Sequence, residues 1–143
     1  MAVTVDATRP AAIHPFHAVH LAGTFTLFLG VLLSDIAYWQ TYQVQWTNFA
    51  SWLIVGGLVF GGIALAAALF GLRHAALRRG RYLVYSLLLL ATWVLGLINA
   101  LVHAKDAWGA MPEGLVLSVI VAVLAAAATW LGFSSDLHRG DRP

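Results

Sequence analysis

Four histidines have a spacing that could hold a metal ion or a haem: His14, His17, His20 and His74. His17 and His20 are three residues apart, so in a helix both lie near one face, with Thr24 one turn further along. Two neutral imidazoles from different helices commonly hold haem b, each giving one axial bond to the iron. We therefore consider His17, His20 and His74 as candidate haem ligands. The same side chains could instead bind Zn²⁺ or Cu²⁺, or be hydrated at a membrane surface.

A second group of polar residues consists of Asp35, Asn99, His103, Lys105 and Asp106. Asn99 and His103 are one helical turn apart, and Asp106 follows three residues after His103. A carboxylate beside hydrocarbon needs hydrogen-bond donors to remain charged, and this group contains them. Our interpretation is a structural clamp between the first and third helices. The alternative is a site that handles protons or faces a cofactor.

The composition is that of a membrane protein. Of the 143 residues, 61% are hydrophobic and 10% are charged, and the mean hydropathy is +0.82. A soluble domain carries about 25% charged residues. There is no cysteine, which excludes disulfides, thiolate metal sites and covalently attached haem. The small positive charge is explained by membrane topology, so we expect the lipid bilayer and not nucleic acid as a partner.

The hydropathy pattern predicts an all-α fold of four transmembrane helices in an up-down-up-down bundle. About 20 apolar residues in a helix cross the hydrocarbon core of a bilayer. The chain has four such segments, joined by short connections, of which the first is an uncharged loop at residues 39–47. The predicted regions are an N-terminal tail at 1–15, spans at about 16–38, 48–72, 81–103 and 113–133, and a C-terminal tail at 134–143.

The distribution of basic residues predicts the orientation. The segment Arg73–Arg81 contains four arginines in nine positions, between the second and third spans. With both tails on the same side, seven arginines lie on that side and only Lys105 lies on the other. Short loops rich in arginine stay cytoplasmic. We expect a multi-pass protein of a bacterial inner membrane with both termini in the cytoplasm.

The second span contains a cluster of glycines that predicts close helix packing. Gly57 and Gly61 are four residues apart, and Gly62 extends the small surface. Small residues at this interval let two helix backbones approach each other in a membrane.

Three segments resemble a known family. They are S-D-I-A-Y-W at Ser34–Trp39, W-T-N-F-A-S-W-L at Trp46–Leu53, and N-A-L-V-H-A-K-D-A-W at Asn99–Trp108. Over about Ile13–Arg139 the chain resembles the bacterial four-helix membrane proteins catalogued as domain of unknown function 2231. The resemblance implies the four-helix fold. It implies no reaction, because the family has no settled activity.

The chain departs from that family at three places. Gly71 stands where members often have an acidic residue, and Tyr85 stands where many have a histidine. The segment Asp136–Gly140 reads D-L-H-R-G where members often have Y-R-H-G. If the histidines and the acid of the family form one site, this chain has altered it, which weakens a haem assignment taken from the resemblance.

Three functions are consistent with the sequence. The first is a non-enzymatic subunit or anchor within a larger membrane complex of the redox or energy-converting kind, in contact with other membrane subunits. The second is a small b-type cytochrome that carries electrons between the quinone pool and a periplasmic partner. The third is a small transporter or channel. The glycine-rich packing surface favours the first, and the histidines favour the second.

Reporter fusions test the orientation. Fusions at Arg78 and at the C-terminus should report cytoplasm and a fusion at Gln43 should report periplasm, because arginine-rich loops are retained on the cytoplasmic side. A cytoplasmic signal at Gln43 would reverse the orientation of the whole bundle.

Overall fold

The computed structural model describes residues 14–72 and 80–134, which form four α-helices and no strand. The helices are α1 (Pro15–Thr41), α2 (Val44–Gly71), α3 (Gly80–His103) and α4 (Glu113–Phe133). Each is long and apolar enough to cross a membrane, so the predicted all-α fold with four spans is confirmed. Residues 1–13, residues 73–79 with His74, and residues 135–143 lie outside the described residues.

The connection between α1 and α2 is shorter than the sequence predicts. Only Tyr42 and Gln43 separate the helices. Tyr42 has left-handed backbone angles (φ 56°), and its N–H donates to the Tyr38 carbonyl at 2.7 Å. The polar segment around this turn contains neither proline nor glycine, so nothing in it interrupts the helices before Tyr42. The polarity of residues 39–47 therefore predicts a longer loop than the two-residue connection of the structure.

The outer surface of the bundle is apolar. In the most apolar window of each helix only 22–33% of the residues are buried within the protein. The remaining hydrophobic side chains point outward, including Trp52, Val59 and Leu101. A water-soluble protein does not expose apolar surface on this scale. The outward-facing side chains therefore match a hydrocarbon environment.

Each helix packs mainly on two others, α1 on α2 and α4, and α3 on the same two. At one end of the bundle, Leu21 of α1 lies against Gly132 of α4. At the other end, Asp35 of α1 contacts Ser118 of α4. We call these the His17 end and the Asp35 end. The up-down-up-down order stays a prediction, and contacts of this kind are what it would produce.

The centre of the bundle is organised around Phe28. This ring is 1% exposed and lies between Gly57 of α2 and Gly96 of α3. A Cβ atom at Gly57 would be 3.0 Å from the ring, and one at Gly96 would be 2.8 Å from it. A side chain at either position would force the ring to shift, so the two glycines let one aromatic side chain join three helices.

The predicted packing glycines lie on the inner side of α2. Gly61 is buried, and a Cβ atom there would be 3.2 Å from Thr24 Cγ2. Gly62 lies against the indole of Trp93, where a Cβ atom would be 3.1 Å from Nε1. That indole nitrogen donates to the Leu58 carbonyl at 3.1 Å, which links α3 to α2.

Most hydroxyl groups in the helices bond to their own helix. The hydroxyls of Thr24, Ser34, Ser51, Ser86 and Thr92 each donate to the carbonyl four residues earlier. Such bonds satisfy a polar hydrogen where no water is available. These residues therefore cost little inside the membrane and provide no free polar group.

Substitution of Gly57 tests this packing. Gly57→Leu should lower the free energy of unfolding by about 1–3 kcal/mol, because the larger side chain would overlap the Phe28 ring. Val59→Leu is the matched control, since Val59 is 53% exposed on the same helix. Thermal unfolding in detergent measures both. Equal melting temperatures for the two variants would show that Gly57 does not face a tight contact.

Candidate functional site

A buried polar network joins three helices at the Asp35 end. Asp35 of α1 is fully buried, and the His103 side chain of α3 is 1% exposed. His103 Nε2 is 2.9 Å from Asp35 Oδ1, and Ser118 Oγ of α4 donates to Asp35 Oδ2 at 2.5 Å. Asn99 Nδ2 of α3 donates to Ser118 Oγ at 2.9 Å. The carboxyl group therefore has a partner on each oxygen.

A hydrogen bond to the backbone of α3 joins His103 to Asn99 and completes the network. His103 Nδ1 lies 3.0 Å from the Asn99 carbonyl oxygen. A carbonyl oxygen only accepts, so Nδ1 must hold a proton. The Ser118 proton points to Asp35, because the serine oxygen already accepts from Asn99. One proton then lies between Nε2 and Oδ1, as an ion pair or as a neutral acid beside a neutral imidazole.

A glycine on α4 makes room for the imidazole ring. Gly114 is buried, and a Cβ atom at this position would be 2.9 Å from His103 Cε1. Any larger residue would push the ring away from Asp35. On α3, Asn99 and His103 are one turn apart, so both face the same neighbours. The one-turn spacing of Asn99 and His103 on α3 and the small size of Gly114 on α4 together determine the position of the imidazole beside Asp35.

One acceptor in the network is not used. Asn99 is fully buried, and its Oδ1 atom has no hydrogen-bond partner among residues 14–72 and 80–134. Buried amide oxygens are nearly always paired, because an unpaired one costs roughly 1–3 kcal/mol. Only the bond from Nδ2 to Ser118 therefore fixes the orientation of this amide.

The structure brings together only part of the predicted polar group. Asp35, Asn99 and His103 are in the network, but neither Lys105 nor Asp106 contacts it. Lys105 Nζ is 3.2 Å from Glu113 Oε2, and both side chains are more than half exposed. Asp106 Oδ1 accepts from the Gly109 N–H at 2.6 Å and stabilises the turn between α3 and α4. Both side chains bond to residues at or next to the connection between α3 and α4, so neither is part of the network.

Ser118 is the network residue that the sequence reasoning missed. A serine in an apolar helix normally donates to its own backbone, as Ser34 and Ser86 do. Ser118 differs because it faces Asp35 across the bundle. The available signal was its position, since it is the one hydroxyl residue in the first half of α4.

The histidines at the His17 end contact different helices. His17 Nε2 is 2.6 Å from the Tyr85 hydroxyl of α3. His20 Nδ1 donates to the Phe16 carbonyl at 2.7 Å, and its ring lies 5.1 Å from that of Phe60 on α2. His14 is exposed and caps α1, accepting from the Phe16 N–H at 3.3 Å.

These contacts bear on the haem hypothesis. In this arrangement His17 Nε2 bonds to Tyr85, so it would have to exchange that hydroxyl for iron. His17 and His20 belong to one helix, and the second helix of a haem pair would have to supply His74, which lies outside the described residues. Within the described ranges no group of three or more His, Asp or Glu residues could hold a metal ion. Haem b therefore stays a prediction.

Comparison with known proteins agrees with the four-helix membrane architecture. A family model described as predicted membrane protein (DUF2231) matches residues 13–140. No curated protein and no solved structure matches the chain. The family match includes all four helices and every residue of the Asp35 network. The chain belongs to the DUF2231 family of predicted membrane proteins, as the resemblance of its sequence segments indicated.

Proposed function

We propose that the protein is a non-enzymatic integral membrane subunit that packs within a larger membrane complex. The observation that supports this is how its buried polar groups are used. Asp35 bonds to His103 and Ser118, and His17 bonds to Tyr85. These groups join helices of the same chain. A site for a substrate or a cofactor instead directs a few polar groups into a cavity.

Because side chains fill the interior of the bundle, a partner would bind at its outer surface. Large side chains fill the bundle, among them Leu21, Phe28, Ile54, Tyr85 and Leu89. This filling also favours a packing role over transport, which needs a path through the centre. Partner contacts would then be made by side chains that face the membrane.

One groove on that surface suits a transmembrane helix. It lies between α1 and α4, has a volume of about 450 Å³, and is lined by Phe25, Ala126, Thr129, Trp130, Phe133 and Ser134. Ala126 and Thr129 are small, while Trp130 is 82% exposed beside them. The small side chains of Ala126 and Thr129 let the backbone of a second helix approach. The aromatic rings that line the groove provide further contact area for that helix.

Crosslinking from the groove tests this proposal, and the absence of native cysteines makes single-cysteine variants clean. Ala126→Cys, with a photoactivatable thiol reagent in native membranes, should give one adduct of discrete mass. Ala66→Cys is the matched control, because Ala66 is an exposed alanine of α2. Ala126→Leu should fill the groove and shift the native complex to lower mass, with an unchanged melting temperature of the isolated chain.

Two results would contradict the subunit proposal. One is labelling of lipid alone from Ala126→Cys. The other is an identical pattern of adducts from Ala126→Cys and Ala66→Cys, which would show that the groove has no partner of its own.

Substitution of Asp35 tests whether the network is a structural clamp. Asp35→Asn should cost about 1 kcal/mol or less, because an amide can donate to His103 Nε2 and accept from Ser118. Asp35→Leu should cost about 3–5 kcal/mol, because it leaves buried polar partners unpaired. Thermal unfolding in detergent measures both, and Gln40→Leu is the control at an exposed polar residue near the same end of α1. Equal losses for Asn and Leu at position 35 would argue against a clamp based on hydrogen bonds.

A further inference from the structure

The hydrogen-bond chain at the Asp35 end has a direction. In the structure protons point from Asn99 Nδ2 to Ser118 Oγ and from Ser118 Oγ to Asp35 Oδ2. Serine both donates and accepts, so the same three side chains can also be joined in the opposite direction. That reversal needs an acceptor at the Asn99 end, and the unused Oδ1 atom of this residue is one.

We propose that the Asp35 network is a binding site for one exchangeable proton, taken up with reversal of the chain. The incoming proton binds Asp35 Oδ2, which then donates to Ser118 Oγ. Ser118 turns its own proton to Asn99 Oδ1 after the amide rotates by half a turn. His103 keeps its Nδ1 proton on the Asn99 carbonyl and donates from Nε2 to Asp35 Oδ1. No bond between heavy atoms changes, and the network gains one proton and one positive charge.

The hydrogen-bond chain contains the same number of bonds in either direction. In each direction the Asn99 amide makes one bond to Ser118, because its other polar atom has no partner among the described residues. The oxygen and the NH₂ group of an amide are nearly indistinguishable in shape, so the rotated amide fills the same space. Asp35 keeps a partner on both oxygens before and after uptake. Uptake of the proton therefore leaves the number of hydrogen bonds in the network unchanged.

The surrounding titratable groups belong to other interactions. Lys105 pairs with Glu113, and Asp106 accepts from a backbone N–H in the same connection. On α1, Tyr38 is buried one turn from Asp35, and the Tyr42 ring stacks on Trp108 at 5.7 Å. Helix α2, which also packs on α1 and α3, has no titratable side chain. A proton bound at this end of the bundle interior would thus be held by Asp35 and His103.

Infrared difference spectroscopy of the full-length protein at a series of pH values tests the proposal. Acidification should produce a protonated carboxyl band if Asp35 and His103 start as an ion pair, or shift the existing band if Asp35 starts as the neutral acid. Asp35→Asn should lack this band. A shift of the Asn99 side-chain amide band, identified by isotope labelling of asparagine, should appear with the same midpoint. Asn48→Val is the control for the assignment, because Asn48 is an exposed asparagine of α2.

Two variants separate the chain reversal from ordinary titration of a buried acid. Asn99→Val removes the acceptor for the reversed Ser118 proton, so the affinity of Asp35 for its proton should fall by about five- to tenfold. Ser118→Ala interrupts the chain, so the amide band should no longer respond to pH. Ser51→Ala is its control, because the Ser51 hydroxyl bonds only within α2, and it should leave the amide response intact.

Any of three results would overturn the proposal. The first is no carboxyl band from Asp35 at any pH at which the protein remains folded. The second is an Asn99 band that stays constant while Asp35 is protonated. The third is an amide response that persists in Ser118→Ala, a result that can be read even if Asn99→Val does not fold.

Discussion

A carboxyl group inside an apolar helix bundle must find its donors within the protein, because hydrocarbon supplies none. Asp35 meets this requirement with one donor from each of two other helices, His103 from α3 and Ser118 from α4. The rest of the Asp35 end follows from it. Helix α3 has to reach as far as its last residue, His103, and α4 has to place Gly114 where the imidazole needs space. The positions of three helices are thus tied to one side chain.

The middle of the bundle depends on shape and not on polarity. The Phe28 ring occupies the space that Gly57 and Gly96 leave open, so α1, α2 and α3 approach around one aromatic side chain. Apolar packing in a membrane has no hydrophobic gain over lipid, so such close contacts and the polar bonds at the bundle ends must specify the arrangement. At the other end the His17–Tyr85 bond links α1 to α3 once more. The two ends and the centre therefore restrain the same helices in different ways.

The sequence predicted the fold because uncharged helical segments of this length have few alternatives to crossing a bilayer. It also predicted Asp35, Asn99 and His103 as one group. These helices contain few polar residues, so those at the same depth in the membrane have few other possible partners. It could not predict that Lys105 would pair with Glu113, because depth does not give the direction of a side chain. Ser118 was missed for the same reason: its position in the first half of α4 gave its depth, but whether it faces Asp35 depends on the rotation of α4.

We conclude that the bond between Asp35 and His103 holds α1 and α3 together. A double-mutant cycle with Asp35→Leu, His103→Leu and the double variant tests it most directly, because leucine forms no replacement bond at either position. We expect the free energies of unfolding to be non-additive by about 1–3 kcal/mol, with the double variant more stable than the two single losses predict. Additivity within about 0.5 kcal/mol would show that the two side chains do not stabilise each other.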